Sequence, residues 1–140
     1  MNARRGKTAL VTLLAVFAAL AVLVAVVWFW RSSETKPDID AGRAAADQFL
    51  EQIRTGHADD AWQSTTAEFK SAEGRESFTR YVKQHPILTK PVSFVSVQMV
   101  TVQEQPRAEY LYRGGEAGGM IHLLAGLENN TWRVDRLTIE

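Results

Sequence analysis

VSFVSVQMVTV, residues 92–102, is where the chain changes character. It contains no Gly, no Pro and no charged residue, and β-branched side chains dominate it, so it predicts one long strand. Upstream, apolar residues recur at helical spacing; downstream they alternate. Helices followed by strands predict an α+β domain with an antiparallel sheet.

Working upstream, Pro86 stops a helix predicted over Glu73–His85, with Phe78, Tyr81 and Val82 on one face. Before it, HADDAWQSTTAEF (57–69) predicts a short helix with Ala61, Trp62, Thr65 and Phe69 pointing one way. The first helix of the domain, AGRAAADQFLEQIRTG (41–56), groups Ala45, Phe49, Leu50 and Ile53. Asp38 or Asp40 can cap its start, and Gly56 suits the left-handed residue at its end.

Downstream, Gln105-Pro106 is expected to break the first strand, and Arg107–Arg113 reads as a second. Gly114–Gly119 (GGEAGG) is a flexible turn without the strand-to-helix context of a phosphate cradle. Met120–Leu127 and Thr131–Ile139 form a hairpin around Asn129-Asn130, residues that tolerate positive φ. In the last strand Trp132 and Val134 have one parity, whereas Leu137 and Ile139 have the other. A one-residue bulge near Asp135-Arg136 would return both pairs to the core face. The alternative is a strand buried on both faces, and the small antiparallel domain favours the bulge.

The amino-terminal part is of another kind. Residues 9–30, ALVTLLAVFAALAVLVAVVWFW, hold no charge, and 22 residues make about 33 Å of helix, enough for a hydrocarbon core of about 30 Å. Trp28, Phe29 and Trp30 suit the headgroup boundary. The length of the run and its bulky Trp-Phe-Trp-Arg end favour an uncleaved anchor over a cleaved signal, whose apolar region spans about 7–15 residues. Arg4, Arg5 and Lys7 precede the run, and Arg31, Lys36 and Arg43 follow it. The counts nearly balance; packing of the first set into eight residues favours a cytoplasmic N-terminus. The expected organisation is a basic tail (1–8), a transmembrane helix (9–30), a polar linker (31–40) and a domain (41–140) outside a bacterial cytoplasmic membrane.

Composition narrows the function. Three of the 16 basic side chains precede the apolar run, so 13 basic and 16 acidic residues remain, a balance of −3. No basic cluster exists to hold nucleic acid. With no cysteine, disulfides, thiolate metal sites and cysteine nucleophiles are excluded.

The pattern ADQFLEQIRTG, then HADDAW, Phe69 and the closing ENNTWRVDRLTI resemble the nuclear transport factor 2-like (cystatin-like) superfamily over residues 41–140. The resemblance implies a cone whose curved, mainly four-stranded sheet wraps the first helix and leaves a pocket at the open end. Members include ketosteroid isomerase-like enzymes, and many others only bind or oligomerise, so fold does not carry function.

Candidate residues are weighed against plainer roles. His57, His85 and His122 match no metal-ligand spacing, and no metal or cofactor is expected. Asp59-Asp60 fit a helix start, where acidic side chains meet the dipole. Asp135 could act as a base in a ketosteroid isomerase-like site, but Arg133 and Arg136 make a surface ion pair or the bulge the more economical reading. Tyr81, Tyr110 and Tyr112, with His122 and Asp135, are the candidates to line a ligand pocket; the wider aromatic set is better explained as core. Ala15 with Ala19, and Ala21 with Ala25, would let two anchors pack closely. The leading expectation is a non-catalytic, membrane-tethered interaction or assembly module, binding itself or a protein partner. The alternative is a small-ligand binder or ketosteroid isomerase-like enzyme with its pocket between first helix and sheet.

Overall fold

A computed structural model describes residues 37–115 and 118–140, together with residues 22 and 24. The expected membrane span, 9–30, lies outside the described residues apart from those two positions. No helix among the described residues is long and apolar enough to cross a membrane. The account below concerns the unit Asp38–Glu140.

It is an α+β fold. Four helices, α1 (Ile39–Arg54), α2 (Ala58–Gln63), α3 (Ala67–Ala72) and α4 (Arg75–Gln84), and a 3-10 turn (Pro86–Thr89) precede four strands. These are β1 (Val92–Val102), β2 (Gln105–Gly114), β3 (Gly119–Glu128) and β4 (Thr131–Ile139), an antiparallel meander in the order β1-β2-β3-β4.

Asp38 caps α1, accepting from the N–H groups of Asp40 and Ala41 at 3.1 and 3.2 Å. Gly56 follows its end at φ +86°, as expected of a left-handed closing residue. The buried face of α1 runs through Gly42, Ala46, Phe49, Leu50 and Ile53; Ala45 is only partly buried. Gly42 makes this possible, because a Cβ there would stand 2.2 Å from the Tyr110 hydroxyl and 3.0 Å from Trp132 Cδ2. The helix can therefore lie directly on the sheet.

The segment 57–69 is not one helix. Its apolar spacing continues unbroken, but Ser64-Thr65-Thr66 interrupts the backbone and Thr66 starts α3 by accepting from Phe69 N–H at 3.1 Å. A hydroxyl that caps competes with helix continuation, and here the cap wins. Phe69 then joins Phe49 and Phe78, with ring centroids 5.6–6.4 Å apart at tilted and edge-on angles.

The break expected at Gln105-Pro106 falls two residues earlier. Gln103 and Glu104 turn the chain with φ of +49° and +63°, and Pro106 pairs with Thr101 inside β2. A proline is tolerated there because the β2–β3 pairing begins only at Ala108, so its missing N–H interrupts no ladder on that side. The Asn129-Asn130 turn is as expected, with φ of +51° and +59°. The bulge in β4 is also present: Arg136 pairs with Leu124 and Val134 with Ala125, leaving Asp135 as the extra residue. A second bulge, in β1, leaves Val95 without a partner between Phe94 and Ser96.

Candidate functional site

Tyr110 stands fully buried at the centre of the core, and its hydroxyl donates to the Ile39 carbonyl at 2.7 Å. It ties β2 to the first turn of α1. Burial, then the Asp40 and Asp38 carboxylates, push its pKa up to about 12. It lines none of the surface clefts described below.

Tyr112, two residues on, donates to Asp47 Oδ1 at 2.6 Å. Burial first, and that carboxylate second, raise its pKa. Asp47 also meets Arg43 at 3.7 Å, and the Arg43 guanidinium lies 3.9 Å from the centroid of the Phe94 ring, itself edge-on to Tyr112. These groups wall a cleft of about 580 Å³ between α1 and the start of β1. Leu50, Leu88 and Val92 give it apolar surface; Glu51, Arg54 and Lys90 give it charge. This cleft lies between first helix and sheet, and Tyr112 is the only one of the five candidates on it.

Asp135 is held by the bulge. Its carboxylate accepts from Thr66 Oγ1 at 2.7 Å and from Arg107 Nε at 3.1 Å, and its side chain is 5% exposed against 12% for Arg107. Arg107 reaches it by crossing Gly126, where a Cβ would come within 2.6 Å of the arginine Cδ. Since Thr66 is both partner of Asp135 and cap of α3, the carboxylate fastens helix to sheet. Thr66 N–H reinforces this by donating to the Val134 carbonyl at 3.0 Å. Asp135 does border a small cleft of about 180 Å³ with Tyr81, Glu68 and Glu73. Burial, then Glu73, raise the Tyr81 pKa.

His122 is on the other face of the sheet. Its Nδ1 lies 3.3 Å from Glu109 and its Nε2 lies 3.5 Å from Glu140. Glu109 is also gripped by Gln98, which is the larger cause of its lowered pKa, with His122 adding to it. This cluster belongs to a groove of about 290 Å³ crossing all four strands, with Val100, Val102, Leu124, Arg136 and Thr138. Leu124 is 8% exposed yet stands outside the helix-packed core.

The remaining candidates have local roles. His57 contacts Thr55 Oγ1 at 3.1 Å, and His85 stacks on Tyr81 while its Nδ1 lies 2.8 Å from the Tyr81 carbonyl. Asp59 pairs with Arg75, joining α2 to α4. Among the described residues no three His, Asp or Glu side chains converge as a metal site.

No protein-family model and no curated protein matches the chain. The site therefore rests on its geometry. Its five candidate residues fall into separate places: Tyr110 in the core, Tyr112 on the α1 cleft, Tyr81 with Asp135 beside α3 and α4, His122 on the outer sheet face. Sequence reading did not single out Arg107, Thr66 or Glu109. Arg107 shows no signal in one sequence, since its carboxylate partner lies 28 residues away.

Proposed function

We propose that the chain is a non-catalytic interaction module on a single membrane span, with a nuclear transport factor 2-like domain outside a bacterial cytoplasmic membrane. Residues 9–30 would be the uncleaved anchor and the basic tail would remain cytoplasmic. The helix-then-sheet order and the bulge in β4 support the family reading; the uncharged run supports the anchor.

The observation that carries the functional reading is how the reactive-looking groups are used. Tyr110 is spent on Ile39, Tyr112 on Asp47, and Asp135 on Thr66 and Arg107. General acid–base work needs a group in reach of substrate and free to trade a proton. The outer sheet face, by contrast, offers an open groove with apolar and charged side chains, which suits a protein surface. The test is photocrosslinking of the full chain in its own membrane, with a photoreactive side chain at Arg136 or Thr138 and a control at Lys83 on α4. Adducts at the groove positions and none at Lys83 support the module. Free monomer at all three positions contradicts it.

A second reading, a small-ligand binder, draws on the cleft between α1 and β1. Lys90 and Arg43 at its rim, with Phe94 and Tyr112 on its wall, suit an anionic ligand with an apolar body. Neither Asp135 nor His122 lines that cleft, and the two carboxylates that do, Asp47 and Glu51, are engaged by Tyr112 with Arg43 and by Arg54.

A further inference from the structure

The two edges of the sheet differ. At β4, Thr66 N–H donates to the Val134 carbonyl and so covers part of that edge. At β1, no strand among the described residues pairs with the outer side. Free edges are commonly blunted by charge, proline or bulges. β1 has one bulge, at Val95, and no charged residue or proline over 11 residues.

The sequence of that edge is chemically symmetric. About Val97, Val92 mirrors Val102, Ser93 mirrors Thr101, Phe94 mirrors Val100, Val95 mirrors Met99, and Ser96 mirrors Gln98. An isologous two-fold contact sets residue i against residue j and j against i, so about this centre polar residues would face polar ones and apolar residues apolar ones. Val95 and Met99, each 42% exposed, are two of the three large apolar residues exposed in Asp38–Glu140, and both lie along this edge strand.

Backbone phase agrees with this centre from Val102 back to Ser96, where the bulge at Val95 ends the regular alternation. The Gln103-Glu104 turn has positive φ at both positions and closes on Val102 and Gln105 as a hydrogen-bonded pair. Alternation then directs Ser96, Gln98 and Val100 toward β2, and the N–H and C=O of Val97 and Met99 toward the free edge.

We propose that the free edge of β1 pairs antiparallel with β1 of a second copy of this chain, about a two-fold axis at Val97. The two sheets then continue as one. This deepens the interaction-module reading and rests on it. One strand edge is small beside the roughly 1,600 Å² of a standard interface, and confinement of two anchored chains to one bilayer raises their effective concentration.

The chain has no cysteine, so introduced thiols report without background. In the proposed ladder Ser96 faces Gln98 of the second copy at a non-hydrogen-bonded position, with Cα atoms about 4.5 Å apart, inside the disulfide range. Ser96 and Gln98 are both exposed. Full-length S96C and Q98C chains, co-expressed in membranes and mildly oxidised, are expected to give a mixed disulfide dimer at least fivefold above either variant alone. Adding Met99→Lys to both should reduce that product at least tenfold by placing charge at the pairing edge. Equal crosslinking of the single variants, or no gain on mixing, overturns the self-pairing. If adducts persist at Arg136 or Thr138 in that case, the module stands without it; if they are lost too, both fall.

Discussion

At the scale of single residues, two contacts carry more than their size suggests. Gly42 lets α1 lie against Tyr110 and Trp132, and a methyl group there overlaps the tyrosine hydroxyl at 2.2 Å. Gly42→Ala is expected to cost about 1–3 kcal/mol despite its gain in helix propensity, because overpacking must move helix or ring. Urea denaturation of the full chain measures it. Asp135→Ala leaves Arg107, which is 12% exposed, with only the more distant Glu68 carboxylate at 4.0 Å, and is expected to cost about 3 kcal/mol, the lower end for breaking a buried ion pair. The three tyrosines of the chain all have raised pKa values, from burial first in each case. A phenol whose folded-state pKa is raised is held neutral by the fold. That stabilisation is complete below about pH 10 and is lost as the pH rises through the folded-state values. Absorbance titration at 295 nm should therefore show no phenol ionising at its ordinary value of 10.0 while the chain stays folded, with Tyr110 keeping its proton up to about pH 12. One tyrosine titrating normally in the folded protein would contradict this.

Among the elements, the turns show what a sequence reveals. Asn129-Asn130 was legible because asparagine tolerates positive φ; Gln103-Glu104 was not, because neither residue announces a left-handed pair. Gln103→Asn with Glu104→Gly should relieve that strain and stabilise the fold by about 1 kcal/mol, read as a rise in thermal midpoint. The bulge at Asp135 could be read from parity alone, since Trp132 and Val134 disagree with Leu137 and Ile139. The break between α2 and α3 could not, because Ala61, Trp62, Thr65 and Phe69 keep helical spacing across it while the Thr66 cap depends on a carboxylate 69 residues away. The glycine turn hid a further packing device. Gly114 and Gly119 pair across β2 and β3 and receive Ile87, whose side chain would meet a Cβ on either at 2.4–2.5 Å. Close approach of this kind has no local sequence mark.

For the domain as a whole, the order of helices and strands was readable, whereas the candidate site was not. The five side chains were chosen for their chemistry, and distance in space is what separates them: a strand's alternation sends Tyr110 and Tyr112 inward and His122, opposite Leu111, outward. What remains available to another molecule is the α1 cleft, the outer groove and the β1 edge. The most direct measurement is photocrosslinking of the full chain in its native membrane from Arg136 and Thr138, with Lys83 as control. The module reading predicts discrete higher-mass adducts from the two groove positions alone. Unmodified monomer from every position, with the domain folded, would contradict it.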